Sequence, residues 1–296
     1  MSNTSIKFIL IIFIIILFLQ NYFCIFPRDK KFDHNFNFND YQKYIIDDKM
    51  KQKAGWELNE NQIFFLNGII RKYLPKNCLE IGVSEGGSSI LILNAIKDIS
   101  NSFLISLDLN PNLYKNKSQM TGWRVKKFFP ELINKWSLYT GDQPHKFLNK
   151  LNLKFDFLFL DTAHISPGEL FNLIEVLPFL NENTIIVLHD IIWHTKYALN
   201  RKINPPNLHL MTFLYGDKIF LKAKNKLDNM GAIILYKNQK NHYVEYFLSL
   251  MTVWDYMPTK NQLDDLRYFI LKYYNNNFLL EIFDESVKYN KHFYKK

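Results

Sequence analysis

Acidic and imidazole side chains that can bind cations and move protons follow two apolar stretches of this chain. Asp161 and His164 come after the run F-D-F-L-F-L. His189 and Asp190 come directly after T-I-I-V-L, and His194 follows them. Carboxylates are hard oxygen ligands that suit Mg²⁺, and imidazole can accept a proton near pH 7. These residues predict a catalytic site, although each histidine alone could equally be a hydrogen-bonded structural residue.

The two apolar stretches predict neighbouring strands of a parallel sheet. F-D-F-L-F-L is apolar apart from one acidic residue, as expected for a central strand that is buried on both faces. Open α/β sheets bind their ligands at the carboxyl ends of the strands. We therefore expect Asp161, His189 and Asp190 to meet at one edge of the sheet, with His164 and His194 nearby.

A glycine-bearing turn follows an earlier predicted strand. Residues 78–90 read C-L-E-I-G-V-S-E-G-G-S-S-I and lead into an apolar run with helical spacing. Gly82, Gly86 and Gly87 lack a Cβ, so the backbone there can approach a ligand closely or adopt a positive φ. The spacing E-x-G-x-x-x-G-G differs from the G-x-G-x-x-G of dinucleotide sites. The carboxylate of Glu80 suits a cationic group, such as the ammonium of an amino acid, and would repel a pyrophosphate.

Four segments of the chain together resemble the class I S-adenosylmethionine (SAM) dependent methyltransferases. They are L-E-I-G-V-S-E-G-G-S-S, S-L-D-L-N-P, F-L-D-T-A-H and I-V-L-H-D, which occur in this order between residues 57 and 237. The chain is most similar to the subgroup that contains the cephalosporin-hydroxylase-like proteins and the metal-dependent sugar O-methyltransferases. The resemblance implies a Rossmann-like, doubly wound sheet of seven strands, mostly parallel and with the last strand antiparallel.

The resemblance also implies which residues contact SAM. They lie in the glycine turn and at the ends of the strands: Glu80, Gly82, Ser84, Gly86, Gly87, Ser88, Asp108, Asp142 and Asp161. Asp108 occupies the position of a carboxylate that accepts hydrogen bonds from the ribose hydroxyls, and its alternative role is that of a turn residue. Asp142 falls where the family contacts adenine, and it could also cap the helix that follows.

The same resemblance implies a metal site formed by Asp161, His189 and Asp190. A bound divalent cation lowers the pKa of a hydroxyl acceptor, which is a poor nucleophile at neutral pH. Relatives carry an acid or an amide at the position of His189, so the ion could be Mg²⁺ or Mn²⁺, or the site could work without metal. The catalytic candidates are His164, His189 and His194, with His164 and His194 as possible general bases.

These observations predict a SAM-dependent O-methyltransferase, assisted by a divalent metal, that acts on a hydroxyl of a sugar, glycan-like or other small-molecule acceptor. Two alternatives stay open: a hydroxylase or oxidoreductase on the same fold, and a non-catalytic protein that has kept the fold. The missing G-x-G-x-x-G motif counts against NAD. Retention of the carboxylates counts against a decayed site, because burying unused charge is costly.

Composition limits the remaining classes. The chain has 296 residues, of which 48% are apolar and 22% charged, enough for one large domain with a full core. The net charge is +9, but the lysines are scattered along the chain, so no nucleic-acid partner is predicted. Cys24 and Cys78 fall in different predicted elements, which makes a disulfide implausible and suits a reducing compartment.

The N-terminus carries an uninterrupted apolar run at residues 8–19, which predicts a transmembrane anchor over residues 1–27 and a linker over 28–55. A cleaved signal peptide would need small residues before the cleavage point, and residues 20–26 offer none. That alternative and a buried helix stay open. More basic residues follow the run than precede it, so the positive-inside rule places the domain in the cytoplasm, tethered to the membrane by one span.

The rest of the chain divides into a predicted SAM-binding domain, residues 56–240, and a helical extension, residues 241–296. Aromatic residues recur at helical spacing in the extension, and such stripes usually mark buried faces. The extension is therefore predicted to cover the domain or to form a homodimer surface, rather than to act as a substrate lid.

The tetrapeptide S-P-G-E at residues 166–169 matches the pattern of a capping box with proline at the first helical position. It predicts the start of a helix. On this interpretation, Ser166 and Glu169 are structural residues.

Overall fold

The structure is a computed structural model that describes residues 48, 50, 52, 58–191, 206–221 and 229–294. The predicted anchor, most of the predicted linker and His194 lie outside these residues. Among the residues described, no helix is both long enough and apolar enough to cross a membrane.

The described residues form seven strands and nine α-helices. Strands β1 to β7 span Asn77–Ile81, Phe103–Asp108, Trp136–Thr140, Phe155–Leu160, Leu180–Leu188, Gly216–Phe220 and Gly231–Leu235. Helices α1 to α9 span Glu60–Tyr73, Gly87–Ile96, Trp123–Phe128, Pro144–Leu151, Gly168–Val176, Pro206–Phe213, Tyr243–Leu248, Lys260–Tyr274 and Asn277–Phe293. Short 3₁₀ turns occupy Pro130–Lys135, Leu177–Phe179, Gln239–His242 and Ser249–Met251.

All seven strands belong to one sheet with the order β3-β2-β1-β4-β5-β7-β6. Neighbouring strands from β3 to β5 pair in parallel, and β7 runs antiparallel to both β5 and β6. This arrangement confirms the prediction of a mostly parallel seven-stranded sheet whose last strand is antiparallel. The strand order reverses between β1 and β4, and such a reversal opens a ligand crevice at the carboxyl ends of the strands.

Strand β4 is buried on both faces, as its sequence predicts. Phe157 and Phe159 pack into a core with Phe65 of α1 and Ile92 of α2. On the opposite face, Leu158 belongs to a second core. Because apolar cores cover both faces, the ends of the strands are the part of the sheet left for ligands.

The C-terminal helices form much of the second core. Trp254, Phe269 and Phe283 are buried in it together with Leu158 and Phe171. The extension therefore covers one face of the sheet, as predicted, and shares its core. The homodimer surface stays a prediction.

Two helix starts differ from the sequence predictions. Helix α5 begins at Gly168 after Pro167, and no side chain caps it, so the predicted capping box is wrong. The Glu169 carboxylate accepts a hydrogen bond from the backbone N–H of His164 instead. Helix α4 is preceded by Gln143, so the capping alternative for Asp142 is wrong by one residue.

Gly82 is the glycine whose replacement should damage the fold most. A Cβ added there would lie 1.7 Å from the carbonyl oxygen of Asp161, on a backbone with φ of +90°. Gly141 is a matched control, because its φ is +94° and nothing lies within 4 Å of its added Cβ. In urea unfolding we expect Gly82→Ala to cost at least about 3 kcal/mol more than Gly141→Ala, since only the first must displace backbone. Equal losses of stability in the two variants would show that the backbone at the end of β4 does not contact the turn.

Candidate active site

The glycine turn joins β1 to α2 and adopts the unusual backbone that its composition predicts. Gly82, Ser84 and Gly86 have positive φ values of 90°, 49° and 98°. Helix α2 begins at Gly87, which has no positive φ. The N–H groups of Val83 and Ser84 donate to Oδ2 of Asp108, at 2.9 and 3.2 Å. The Asp108 carboxylate at the end of β2 therefore fixes the conformation of the turn at the edge of the sheet.

Asp108 also stabilises its own turn, because Oδ1 accepts from the N–H of Asn110 at 2.8 Å. Its side chain is partly exposed at the rim beside Ser84. The N–H of Gly141 donates to the backbone oxygen of Asp108 at 3.1 Å, which places the exposed Asp142 beside the end of β2. Asp108 and Asp142 therefore lie on the same side of the glycine turn.

Glu80 lies beneath the turn, and its carboxylate is fully buried. The hydroxyls of Ser88, Ser89 and Ser106 each donate to it at 2.6 Å. Burial raises the pKa of Glu80 to about 7, although the three serine hydroxyls act in the opposite direction. Glu80 and Ser88 bond to each other below the turn, and their contact with the cofactor stays a prediction.

Replacing Glu80 by glutamine should change how stability depends on pH. A carboxyl whose folded pKa is raised favours folding below its unfolded value of 4.5, and this contribution is lost as the pH rises towards 7. The stability of Glu80→Gln relative to wild type should therefore rise by about 3 kcal/mol between pH 4.5 and 7.5. Urea unfolding at both pH values measures this change.

Glu182→Gln provides the control, because Glu182 is exposed on β5. It should show the same pH dependence of unfolding as wild type. If the stability of Glu80→Gln changed with pH in the same way as that of wild type, the result would contradict a buried Glu80 carboxyl with a raised pKa.

The predicted acid and histidine cluster assembles at the ends of β4 and β5. Nε2 of His164 lies 3.3 Å from Oδ1 of Asp161 and 3.2 Å from Oδ2 of Asp190. Nδ1 of His189 lies 3.0 Å from the same oxygen of Asp161. The side chains of Asp161 and His164 keep about a fifth of their surface exposed, so a ligand can reach them from the crevice.

The backbone at two members of this cluster is strained. His164 and Asp190 have positive φ values of 55° and 54°, which are uncommon for residues with a side chain. Strain of this kind concentrates at functional sites, where surrounding contacts hold the residue in place. The fully buried Glu169 accepts from the His164 backbone N–H, and its Oε1 lies 3.4 Å from Nδ1 of the ring. Glu169 therefore fixes both the backbone and the ring of His164.

The charges of the cluster stabilise one another. Burial lowers the pKa of His164, but its contacts with Asp161 and Glu169 raise it to about 11. Burial likewise raises the pKa of Asp161, while His189 and His164 bring it well below its usual range. At neutral pH a positive ring therefore lies between two carboxylates, at a position that would also suit a bound cation.

Amide side chains from distant parts of the chain complete the site. Nε2 of Gln62 lies 3.1 Å from Nε2 of His189 and donates to Oδ1 of Asn229. Asn229 donates to Oδ1 of Asp190, and Asn207 donates to the backbone oxygen of His189. Sequence reasoning missed these three residues because no motif or spacing marks them.

The glycine turn and the acid and histidine cluster are contiguous. The N–H of Asp161 donates to the backbone oxygen of Ile81 at 3.0 Å, and Gly82 lies against the Asp161 carbonyl. Residues 79–191, which contain both features, match a family model described as a methyltransferase domain. Residues 79–191 form a methyltransferase domain. The methyltransferase domain thus contains all four segments that suggested the family.

Solved structures share the fold of the methyltransferase domain. An O-methyltransferase from Bacillus cereus in complex with SAH has a TM-score of 0.51 and 14% identity, covering 67% of this chain and 100% of its own. A Klebsiella pneumoniae protein assigned as an O-methyltransferase has a TM-score of 0.51 and 16% identity, covering 67% and 95%. A Staphylococcus aureus protein assigned as a caffeoyl-CoA O-methyltransferase has a TM-score of 0.50 and 15% identity, covering 69% and 100%.

At these identities the likeness shows the fold alone and does not select the sugar or metal-dependent subgroup. No curated protein matches the chain. The acceptor and the metal must therefore be argued from the site.

Proposed function

We propose that this protein transfers a methyl group from SAM to a hydroxyl oxygen, and that a sugar or glycan-like molecule is the acceptor. The observation that carries the proposal is the direct contact between the glycine turn and the acid and histidine cluster through Gly82 and Asp161. A methyl donor on the turn would lie beside groups that can activate an oxygen. In-line transfer requires this proximity.

The residues of the turn fit the cofactor. Gly82 and Gly86 provide close backbone approach at positive φ, and Ser84 lies beside them. The partly exposed carboxylate of Asp108 suits the ribose hydroxyls, and Asp142 lies on the same side, where adenine would be contacted. Glu80 acts from below by holding the serines at the start of α2. SAM, when bound, supplies a methyl group on a positively charged sulfur.

The cluster fits a divalent cation between Asp161 and Asp190. Both carboxylates come within 3.3 Å of the same ring nitrogen of His164, so they converge on one point. Oxygen ligands favour Mg²⁺ or Mn²⁺, and a bound ion would make an acceptor hydroxyl more acidic. A cation bound between the carboxylates would take over their charge from the His164 ring, which would then lose its extra hydrogen and serve as the general base of this proposal.

The sugar acceptor and the membrane anchor over residues 1–27 belong to the proposal through the sequence. The resemblance to sugar O-methyltransferases favours a polyhydroxylated acceptor, and the partly exposed side chains of Asp161 and His164 suit one. The anchor would keep the domain at the cytoplasmic face of a membrane, close to membrane-linked glycans.

Transfer of a labelled methyl group tests the function. The purified full chain would be incubated with methyl-labelled SAM and a panel of sugars, catechols and aliphatic alcohols, with and without Mn²⁺. We expect labelled ether products from the sugars and a higher rate with Mn²⁺. Transfer to catechols alone would contradict the sugar acceptor, and a rate independent of Mn²⁺ after chelation would contradict the metal.

A further inference from the structure

A segment of the C-terminal extension holds the loop that carries His164. The backbone N–H of Ser166 donates to Oδ2 of Asp255 at 2.8 Å, and the backbone oxygen of Ser166 accepts from the N–H of Asp255, also at 2.8 Å. Ser166 is fully buried and lies two residues after His164, between β4 and α5. Asp255 thus binds both backbone hydrogen-bonding groups of this residue. We call these two hydrogen bonds the Ser166 clamp.

The residue before Asp255 is fixed on both sides. Trp254 is buried in the second core, and the centroid of its ring lies 5.3 Å from that of Phe171 of α5. Its backbone N–H donates to Oδ1 of Asn290 at 2.7 Å, and its backbone oxygen accepts from the hydroxyl of Tyr294 at 2.8 Å. The position of Asp255 is therefore set by α9 and by the core, not by the loop that it holds.

The loop needs constraint from outside, because His164 has a backbone conformation that is unfavourable by itself. Its φ of 55° is uncommon for a residue with a side chain, and such conformations persist only where surrounding contacts hold them. Glu169 accepts from the His164 N–H. The Ser166 clamp supplies a further contact, and a carboxylate that accepts from a backbone N–H forms one of the stronger hydrogen bonds in proteins. Removal of the clamp should release the loop even though Glu169 stays in place.

We propose that Asp255 is a positioning residue of the active site. Through the Ser166 clamp it keeps the His164 ring between the carboxylates of the acid and histidine cluster. This role rests on the proposed function, in which His164 acts as the general base. Asp255 acts through the backbone of the loop and not on the reacting atoms. The C-terminal extension is then part of the catalytic apparatus as well as of the core.

The carboxylate of Asp255 also acts on His209 of α6. Burial lowers the pKa of His209, and the charge of Asp255 acts in the opposite direction. Two roles of Asp255 therefore have to be separated, its charge and its hydrogen bond to the Ser166 N–H. Asp255→Asn removes the charge but keeps an oxygen that can accept from this N–H, whereas Asp255→Ala removes both.

Kinetics of the full chain with labelled SAM test the catalytic role. We expect Asp255→Ala to lower kcat by about tenfold and to leave the KM for SAM within about threefold of wild type, because a displaced base slows the reaction while the glycine turn stays intact. The kcat of Asp255→Asn should stay within about threefold of wild type. Asp284→Ala is the matched control, since Asp284 lies in the same extension and pairs with Arg267. Its kcat should match wild type.

Hydrogen exchange tests the Ser166 clamp without any substrate. Mass spectrometry of peptides that cover residues 162–171 and 155–160 would follow the loop and strand β4 separately. We expect the loop of Asp255→Ala to exchange at least about tenfold faster than wild type, since the lost hydrogen bond has a charged acceptor. Exchange of β4 should stay unchanged. Asp255→Asn and Asp284→Ala should exchange like wild type in both peptides.

The proposal would be overturned by wild-type exchange of the loop in Asp255→Ala, by faster exchange that includes β4, or by faster exchange of the loop with an unchanged kcat. Equal losses of kcat in Asp255→Asn and Asp255→Ala would assign the effect to charge and would also contradict the clamp. A wild-type protein that transfers no methyl group would count against the proposed function alone, because the exchange measurement needs neither SAM nor acceptor.

Discussion

Asp161→Asn is expected to reduce methyl transfer by about 10³-fold or more, the largest effect of any single substitution in the site. Oδ1 of Asp161 lies within 3.3 Å of both His164 and His189, and the residue is also a candidate metal ligand. Removal of its charge weakens the general base and the cation site together. A 10³-fold lower rate corresponds to a loss of about 4 kcal/mol of transition-state stabilisation. Initial rates with labelled SAM at saturating concentration measure it.

Asp265→Asn is the control for this variant. Asp265 is partly exposed and pairs with Lys146 far from the site in sequence, so its replacement should leave the rate within about twofold of wild type. The Asp161 prediction would be wrong if folded Asp161→Asn kept more than a tenth of the wild-type rate.

His164→Gln should give the second largest loss, with kcat lower by about 10²-fold. Its ring lies between both carboxylates and is held from behind by Glu169. Glutamine can form hydrogen bonds there but cannot take a proton near neutral pH. The KM for SAM should stay within about threefold of wild type, because the glycine turn is intact. Steady-state kinetics at fixed acceptor concentration separate the two constants.

His242→Gln serves as the control, since His242 stacks on Tyr215 and occupies the turn after β7. Its kcat should match wild type. A parallel fall in kcat and in SAM affinity for His164→Gln would indicate a collapsed site, and an unchanged kcat would exclude His164 as the base.

The sheet could be predicted from the sequence because its signals are local. The apolar run F-D-F-L-F-L predicts a strand that is buried on both faces, and β4 is buried on both faces. Glycines at the end of β1 predict a turn with unusual φ, and Gly82 and Gly86 have it. The acid and histidine cluster could also be predicted. Parallel neighbouring strands bring Asp161 and Asp190 to one edge of the sheet regardless of the conformation of the loops.

The hydrogen-bond partners inside the site could not be predicted, because they come from distant parts of the chain. Gln62 has an ordinary local role in a capping box, and its second role depends on Asn229, which is 167 residues away. Glu169 fits a capping pattern by spacing, but the structure turns it towards His164. Only tertiary packing decides which of two satisfactory partners a buried polar group takes.

Glu80 shows a related limit. A carboxylate two residues before a glycine turn suggests a contact with a cationic ligand, and no local pattern shows that the Ser88 and Ser89 hydroxyls also donate to it. Ser106, on the adjacent strand, completes the set. The sequence predicted the position of this residue but not the direction of its interactions.

Calorimetric titration of the full chain with SAM and, separately, with NAD tests most directly whether the glycine turn serves a methyl donor. The account predicts binding of SAM, no binding of NAD, and at least tenfold weaker SAM binding by Asp108→Ala, because the Asp108 carboxylate holds the turn and is the proposed partner of the ribose hydroxyls. Binding of NAD without binding of SAM would contradict it.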